Sequence, residues 1–541
     1  MKSVVSRVTP ALWIGLILSG LPTARGADAR PQPRDPRIQI RRLTTVNDVA
    51  PPCRIAKDPR DQRLYYMTLG GSIYRLTVQP GEDQSLRTRI ADSSHHAQTN
   101  TMGFDIGPDG TFYVVANQTQ STNSALTAAY VLRGEERPGT EGRLWSVVAH
   151  TEPYARSKTA FDHVFNAVEV SPDGATLYLN SGSRTDHGEI QSADGAFPGL
   201  REEPLNAAIF RVPARGNDIL LPRDLNALKA DGRIYCEGIR NTFDLRFSPS
   251  GELFGAENGP DRGMSDELNW LREGEHYGFP WRMGGADNPQ QFPDYDPALD
   301  KLLDSRFTAV KGGYFNNDPT FPPAPDRMLE PIGNLGPDAD KFRDPIDGLI
   351  KDASDLGMKL FTFTTHRSPL GLVFDEDRAL AAPYRGCAFA MGFMGGDETG
   401  DRYPGPFQDA SRDLLRLRLH KTADNYDAEV YKLVTGFVDP IDSEIIGNVL
   451  YVICYGGERA IWEITLPAAD AVELTAPIWT PLGLAFTLNV GTQGLYALQV
   501  SSNLLDWTTL WTPTFPSGSS YFLDGSAATN AGARFYRTWK P

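Results

Sequence analysis

The sequence predicts an all-β fold: a six-bladed β-propeller over residues 40–467, followed by a small C-terminal β-sandwich-like domain over residues 471–541. Pairs of short apolar strands flank a tight turn at six places along the chain, and few helical stretches lie between them. After Pro467 this pattern gives way to alternating strands such as FTLNV and LYALQVSS. An irregular all-β barrel is the alternative for the first part.

Each copy of the repeat reads as a strand, a turn and a second strand. Asp-Gly at several of the bends supplies the positive φ that a tight hairpin needs, and the flanking residues alternate or run apolar, as buried strands do. The copies are CRIAKDPRDQRLYYMTL from Cys53, GFDIGPDGTFYVVAN from Gly103, NAVEVSPDGATLYLNSG from Asn166, FDLRFSPSGELFGAENG from Phe243, LGLVFDEDRALAAPYRGCAFAMGF from Leu370 and IDSEIIGNVLYVICYGG from Ile441.

The N-terminal segment and the composition indicate where the protein is located and which partners are disfavoured. Residues 1–26 have the basic start, short apolar run and small residues of a signal peptide, so we expect export to the periplasm or the extracellular space. No other stretch is long enough to span a bilayer, so we expect no transmembrane segment in the mature chain. A net charge of −15 without a basic block disfavours a nucleic-acid partner.

Cysteine spacing excludes two kinds of site. The four cysteines form neither C-x-x-C nor C-x-x-C-H, which excludes an attached haem and disfavours a zinc cage. In an oxidising compartment one or two disulfides are possible, and the sequence does not show which cysteines they would join.

Two regions interrupt the repeat. Residues 285–360 are rich in Pro, Asp and Gly and too long for an ordinary connection, so they are either a functional lid or a poorly ordered insertion. In the C-terminal part, Trp507 and Trp511 are core residues or, as the alternative, stack on a sugar.

The segment from Gly238 to Trp281 holds an Arg-Asn pair, a hairpin, a Gly259-Pro260 bend and the acidic pair Asp266-Glu267. A guanidinium, backbone carbonyls at a Gly-Pro bend and nearby carboxylates suit a hard cation beside an anionic ligand. The order G-x-R-N, P-x-G, E-x-G-P, D-E-L-N, Y-G-x-P resembles that of the glucose/sorbosone dehydrogenase family. Its characterised members are six-bladed propellers that use pyrroloquinoline quinone and calcium.

The resemblance implies roles for several residues. His163, in a D-H dipeptide ahead of a strand–turn–strand unit, corresponds to the catalytic base, and Asp162 would fix its tautomer. Arg240 and Asn241 correspond to the pair that contacts the quinone and the reacting oxygens, Arg240 also being catalytic through charge stabilisation. Gln98 corresponds to a substrate-binding glutamine.

The resemblance also implies metal ligands. The carbonyls of Gly259 and Pro260 match those that bind the calcium of the cofactor. Glu267, the Tyr277 carbonyl and Asp287 match a second, structural calcium by spacing. Without the resemblance, Asp266-Glu267 is equally well a solvated loop face.

The chain departs from the family where the quinone carboxylates are held. Met394 stands near the position of a quinone-binding lysine, and acidic Asp439 and Asp442 stand where the family has two arginines. An aspartate repels a carboxylate. Either an arginine elsewhere compensates or the pocket does not hold the quinone tightly; the candidates are Arg367, Arg385 and Arg412. An acidic position after the second strand of the third repeat is also displaced, with Ser183 there and Asp186 three residues on.

Three functions follow from these observations. The first is an exported quinoprotein dehydrogenase that oxidises a sugar or aldose hydroxyl. The second is a calcium-dependent propeller hydrolase of lactonase type. The third is a non-catalytic module that binds carbohydrate or protein. Because propellers support all three, the fold alone does not choose between them.

Overall fold

In the computed structural model, residues 30–394, 405–469, 473–475, 477–490, 494–512, 514–515, 518–529 and 534–539 are described. The signal peptide predicted over residues 1–26 lies outside them. The chain is almost entirely β, as predicted.

Six sheets of three or more strands follow one another through residues 39–465 of the described chain, and each of the six predicted repeats forms the first two strands of one of them. We call the sheets blades one to six. Their strands are Pro52–Lys57, Leu64–Thr68, Ile73–Thr77 and Leu86–Ala91; Thr101–Ile106, Phe112–Thr119, Leu126–Glu136 and Arg143–Thr151, with Tyr154–Ala155 and Ile219–Leu221; Phe165–Val170, Thr176–Ser181, Ala208–Pro213 and Ile234–Glu237; Thr242–Phe247, Leu253–Glu257 and Glu267–Leu271; Pro369–Phe374, Ala388–Gly392, Asp413–Lys421 and Tyr426–Thr435, with Gln32–Pro33, Gly333–Pro337 and Leu360–Phe361; and Pro440–Ile446, Val449–Cys454 and Ala460–Thr465, with Gln39–Thr45.

The first strands of these blades adjoin in a closed ring, blade six beside blade one. Blade six is completed by the strand Gln39–Thr45, which pairs antiparallel with Ala460–Thr465. Apolar side chains packed between neighbouring blades form the core, with Leu43, Tyr66 and Ile461 buried in one such cluster. This is the arrangement of a β-propeller, so the predicted fold class is confirmed.

Buried and half-buried carboxylates link one first strand to the next. A first strand has no strand partner on its inner side, so its N–H groups there need other acceptors. Each carboxylate accepts from a backbone N–H of the following blade: Asp105 from Val170 (2.8 Å), Glu169 from Phe247 (3.0 Å), Asp244 from Leu372 (2.7 Å) and Asp442 from Ile55 (2.8 Å). Asp442 therefore holds blade six to blade one.

Two ends of the ring differ in what they carry. Since the first two strands of a blade are antiparallel, the loop before the first strand and the loop after the second lie at the same end. We call this the site end, because His163, Arg240 and Gly259 all lie in such loops. The tight turns of the repeat lie at the other end.

The predicted insertion is ordered by short elements and by contacts with the site end. Its short elements are the α-helix Thr308–Lys311, the 3-10 helices Pro289–Gln291 and Ser354–Leu356, and the strands Ala286–Asp287, Lys341–Arg343 and Ile350–Asp352, with the strand Arg282–Met283 just before it. The other short α-helices of the propeller are Ser93–His96 and Leu225–Ala230. Asp261 Oδ2 accepts a hydrogen bond from the N–H of Ala309 (2.8 Å), which ties the insertion to the loop of Gly259.

The C-terminal part is also β. Its elements are Glu473–Leu474, Ile478–Thr480, Gly483–Val490, Gly494–Leu495, Ala497–Ser501, Thr508–Trp511, Thr514–Phe515, Gly518–Asp524, Phe535–Trp539 and the 3-10 helix Gly525–Thr529. The Trp511 ring stacks on Phe522 at 5.4 Å, and the Arg537 guanidinium lies 4.1 Å from the centre of the Trp507 ring. Both tryptophans are half-buried.

Two sequence expectations concern thiols and membranes. The four cysteines are buried and none is joined to another by a disulfide, so neither of the disulfides that the sequence allowed is formed. Among the described residues, no helix has the length and apolar character needed to cross a bilayer.

Candidate active site

His163 and Arg240 are brought together by the backbone of the loops that carry them. The N–H of His163 donates to the carbonyl of Ser183 (2.9 Å), and the N–H of Ser183 donates to the carbonyl of Arg240 (2.6 Å). Gly182 lies between them, and a Cβ there would come within 2.4 Å of the His163 Cβ. The absence of a side chain at Gly182 therefore allows the two loops to meet.

The hydrogen bonds of Ser183 fix the tautomer of His163. Ser183 Oγ donates its only proton to the carbonyl of Thr185 (2.7 Å), and it lies 3.3 Å from His163 Nδ1. The hydroxyl must therefore accept from His163, which places the imidazole proton on Nδ1 and leaves the lone pair on Nε2. Burial, with the Arg240 guanidinium as a second cause, lowers the pKa of His163 to about 3, so the ring is neutral at neutral pH.

Asp162 lies beside His163 in the chain but bonds elsewhere. Its carboxylate accepts from the N–H groups of Ser157 (2.6 Å) and Lys158 (3.0 Å) and lies 3.4 Å from Arg156 Nε. In this structure Ser183, and not Asp162 as predicted, is the hydrogen-bond partner of the imidazole. Asp162 instead orders the loop that leads to His163.

Arg240 is buried and forms an ion pair with Asp186. Its Nη2 donates to Asp186 Oδ1 (2.9 Å), its Nε to the Asp186 carbonyl (2.7 Å) and its Nη1 to the Asn258 carbonyl (3.1 Å). Burial alone would raise the pKa of Asp186, but His187 at 2.8 Å and Arg240 outweigh it, and the net pKa is lowered. The displaced acidic residue noted in the sequence is therefore the partner of the guanidinium.

A chain of side-chain amides sets the orientation of Asn241. Asn180 Nδ2 donates to Asn166 Oδ1 (2.7 Å), Asn166 Nδ2 to Asn241 Oδ1 (2.7 Å), and Asn241 Nδ2 to Asn258 Oδ1 (2.8 Å). Asn258 Nδ2 then donates to the Pro369 carbonyl (3.2 Å). Each amide fixes the next, so Asn241 keeps one Nδ2 proton for a ligand.

The Gly259-Pro260 bend presents two carbonyls that could hold a cation. Neither oxygen accepts a hydrogen bond from any residue that the structure describes. The bend is held by Asp266, whose carboxylate accepts from the N–H groups of Gly259 (2.8 Å) and Ser368 (2.8 Å), joining blade four to blade five. Two unpaired carbonyls at a rigid bend fit the ligand preference of calcium.

Gln98 lies in the loop before the first strand of blade two, at the site end. It is 7% exposed, and its side chain contacts that of Gln118 at the end of the second strand of that blade. The structure thus places the predicted substrate residue at the same end of the ring as His163. Gln118 is a neighbour that the sequence reading did not identify.

The predicted second calcium set is only partly assembled. Glu267 is buried and accepts from the Gly284 N–H (2.6 Å) and from Asn269 Nδ2 (2.8 Å). The Asp287 carboxylate is half-exposed and pairs with Arg282 at 2.6 Å. The Tyr277 carbonyl accepts no hydrogen bond from the described residues. Over the same residues, no three His, Cys, Asp or Glu side chains are grouped as metal ligands, so this set stays a prediction.

The arginines that could replace the basic clamp are engaged. Arg367 Nη1 contacts Asp409 at 2.6 Å and its Nη2 contacts Asp413. Arg412 Nη2 lies 3.3 Å from Asp439. Arg385 Nε donates to the Leu380 carbonyl (3.0 Å) and Met394 N to the Arg367 carbonyl (3.3 Å). His163, Arg240 and Asn241 therefore fit the reacting half of a quinone site. The three arginines of this paragraph do not fit the half that holds the quinone carboxylates.

His366 was not assigned a role by the sequence, yet it lies at the site end in the loop before blade five. The charges of Asp186 and Arg240 act on it, as they do on His163, and so do those of Asp304 and Arg343. Its ring is covered by Phe307 of the insertion, with the ring centres 4.0 Å apart. Phe315 of the insertion stacks on His187 at 3.7 Å. The insertion therefore covers the site, which favours the lid interpretation.

Comparisons with solved structures give similar proteins of low identity. The holo PQQ domain of pyranose dehydrogenase from Coprinopsis cinerea is 14% identical, with a TM-score of 0.49 over 80% of this chain and 98% of that one. The PQQ-bound aldose sugar dehydrogenase from Streptomyces coelicolor is 16% identical (TM-score 0.44; 81% and 99%). The apo soluble aldose sugar dehydrogenase from Escherichia coli is 13% identical (TM-score 0.46; 79% and 99%).

A comparison with curated proteins finds no sequence that matches. Residues 88–296, which hold Gln98, His163, Arg240 and Gly259, match the family model of Glucose / Sorbosone dehydrogenase. The family whose model matches this region is the one that the motifs of the sequence resemble.

Proposed function

We propose that this protein is an oxidoreductase that oxidises a hydroxyl of a sugar or aldose, exported to the periplasm or the extracellular space. The observation that carries the proposal is the convergence of His163 Nε2, the Arg240 guanidinium and the unpaired carbonyls of Gly259 and Pro260 at one end of the ring. Each is a residue to which the sequence resemblance assigns a part in this chemistry.

His163 is positioned to take the hydroxyl proton, because its Nε2 lone pair is free while Nδ1 donates to Ser183. The carbon then loses hydride to an acceptor. Arg240 stabilises negative charge on the reacting oxygen, and Asn241 supplies one oriented N–H.

Calcium would be held by the carbonyls of Gly259 and Pro260. If bound, pyrroloquinoline quinone would supply the hydride acceptor, and Arg240 and Asn241 would be among the residues that hold it.

The test is reconstitution of the full chain with calcium and pyrroloquinoline quinone, measuring quinone uptake and dye reduction over a panel of aldoses. We expect sugar-dependent reduction that is lost in His163→Ala. His150→Ala is the matched control, since His150 lies in the fourth strand of blade two and is paired with Asp218 at 3.1 Å. Absence of reduction in the wild-type protein with every aldose would contradict the proposal.

A calcium-dependent hydrolase is the second candidate. It is favoured by one observation: Arg367 and Arg412 are paired with aspartates rather than available to an anionic cofactor. The same protein with calcium alone should then open lactones in a His163-dependent reaction. Lactone opening without quinone-dependent oxidation would favour this candidate over the first.

A further inference from the structure

A cavity of about 390 Å³ lies at the end of the ring that carries the tight turns, opposite to the site end. We call it the turn-end cavity. Its lining includes a proline from the turn of each of the first four blades, and also Phe247; the prolines are Pro59, Pro108, Pro172 and Pro249. Its volume is in the range of cavities that bind small molecules, and this part of the lining suits an apolar body.

Two cations and four carboxylates also line the turn-end cavity. Lys57 Nζ lies 2.9 Å from Glu376 Oε2 and 3.3 Å from Glu444 Oε1. Arg246 Nη2 lies 3.1 Å from Glu444 Oε1 and 3.3 Å from Glu376 Oε1. These four side chains form a closed network in which both cations are paired, so two carboxylates of the cavity remain.

Asp105 and Glu169 are these two carboxylates, and neither forms an ion pair with a described residue. The Asp105 oxygens accept from the N–H groups of Ile106 (2.7 Å) and Val170 (2.8 Å). Glu169 Oε1 accepts from the Phe247 N–H (3.0 Å), whereas its Oε2 accepts no hydrogen bond from the residues that the structure describes. Because Glu169 is only 7% exposed, a carboxylate oxygen without a partner is held in the wall of the cavity.

A second, inner cavity of about 20 Å³ adjoins the first, and the two share Asp105, Glu169 and Arg246 in their walls. Ser443 also lines the inner cavity. It is 3% exposed, and its Oγ has no hydrogen-bond partner in the described part of the chain. Since a buried polar atom without a partner is unfavourable, this hydroxyl is a second observation that indicates a polar ligand.

The charges around the two cavities favour a cation. The other charged groups of the inner cavity are Arg54, Asp244 and Asp442. Burial raises the pKa of Asp105 to about 6, and burial together with the nearby Asp105 raises the pKa of Glu169. The positive charge of Arg246 acts in the opposite direction on both carboxyls and is outweighed. A bound cation would stabilise their ionised forms, whereas a bound anion would meet an excess of carboxylates.

We propose that the turn-end cavity binds an organic cation, a primary amine with a short apolar body. The ammonium group donates to Glu169 Oε2 where the two cavities meet, and the body packs against Phe247 and the four prolines. An ammonium has three donors and no acceptor, which complements a carboxylate oxygen and a hydroxyl that both lack partners. The site is separate from the proposed sugar oxidation, because it lies at the opposite end of the ring.

Three probes with the same six-carbon body and different head groups test this proposal on the full chain: hexylamine, 1-hexanol and hexanoate. Binding is measured by calorimetry near pH 6, where the amine is charged because its pKa, like that of lysine, is about 10.4. We expect hexylamine to bind at least about tenfold more tightly than 1-hexanol, and hexanoate not to bind. Because a bound cation favours ionised Asp105 and Glu169, hexylamine should also release protons, which titrations in two buffers of different ionisation enthalpy detect.

Glu169→Gln is the test variant, since its amide oxygen still accepts from the Phe247 N–H while the charge is removed. We expect it to bind hexylamine about tenfold more weakly than the wild-type protein and to release fewer protons. Asp173→Asn is the matched control. It removes the same charge from the exposed turn beside Pro172, at the same end of the ring, and Asp173 lines neither cavity. It should bind hexylamine as the wild-type protein does.

The proposal is overturned if the wild-type protein binds none of the probes, or if 1-hexanol or hexanoate binds as tightly as hexylamine. It is equally overturned if Glu169→Gln binds hexylamine as the wild-type protein does, since the amine would then be bound elsewhere. The comparison of the three probes on the wild-type protein remains decisive even where Glu169→Gln does not fold.

Discussion

Ser183→Ala tests the tautomer argument for His163 most directly. The substitution removes the only hydrogen-bond partner that the structure gives to His163 Nδ1, the hydroxyl at 3.3 Å. It leaves the backbone bonds of residue 183 to His163 and Arg240 in place. We therefore expect the fold to persist and the preference for the Nδ1-protonated tautomer to weaken.

The size of the effect follows from one buried hydrogen bond. Such a bond contributes about 0.5–1.5 kcal/mol, and 1.4 kcal/mol corresponds to a factor of ten. The ratio of Nδ1–H to Nε2–H tautomers should fall by up to about tenfold. If Nε2 is the base, the rate of sugar oxidation should fall by no more than this factor, with little change in KM.

Long-range ¹H–¹⁵N spectra of histidine-labelled protein report the tautomer directly, and the His163 signals are those missing in His163→Gln. Ser181→Ala is the matched control: Ser181 is equally buried and donates to the Leu205 carbonyl (2.6 Å) without touching His163. Wild-type His163 protonated on Nε2, or an unchanged tautomer ratio in Ser183→Ala, would refute the reasoning.

Three further predictions concern stability. Arg240→Met leaves the buried Asp186 carboxylate with His187 and the Asp261 N–H but without its guanidinium, so we expect the free energy of unfolding in urea to fall by about 1–3 kcal/mol. Burial raises the pKa of Asp105 to about 6. Because this pKa lies above the unfolded value, the stabilisation from Asp105 is complete below the unfolded pKa and is lost as the pH rises through about 6. Between about pH 4 and about pH 7 the free energy of unfolding should therefore fall less in Asp105→Asn than in the wild-type protein. Calcium should raise the Tm of the wild-type protein, and if Glu267 is a ligand this rise should shrink in Glu267→Gln.

Each of these predictions has its own control. Adding Asp186→Asn to Arg240→Met should recover part of the loss; a single-variant cost below about 1 kcal/mol would contradict the buried ion pair. Asp173→Asn, in an exposed turn, should leave the pH profile of stability between about pH 5 and about pH 7 as it is, because hydrogen bonds from Ser171 and Ala175 lower the pKa of Asp173 and keep it ionised over this range. For Glu267, magnesium replaces calcium as the control ion, and an equal Tm rise in wild type and Glu267→Gln would remove that residue from the site.

The sequence was sufficient for the fold because its signal is local. Strand alternation and the turns of the repeat lie within about twenty residues of one another, and all six copies became the first two strands of a blade. His163, Arg240 and Gly259 could be found because each sits beside a recognisable strand–turn–strand unit.

The remaining features of the site arise between residues distant in the chain. Nothing near Ser183 predicts its bond to His163, and nothing near His366 predicts that it shares the charges of Asp186 and Arg240. From the sequence alone, Asp442 could be interpreted only as an acidic residue at a position where the family has an arginine. In the fold it accepts a hydrogen bond from Ile55, a contact across almost the whole length of the chain.

The pairing of Gln39–Thr45 with Ala460–Thr465 has a consequence for biosynthesis. Gln39–Thr45 is among the first propeller strands to be made, and its edge is covered only when the last strand, more than four hundred residues away, pairs with it. Closure over so long a separation is slow. Until then the incomplete sixth blade exposes a bare edge open to strands of other molecules, so the nascent protein is most vulnerable to aggregation in the interval between chain completion and this final pairing.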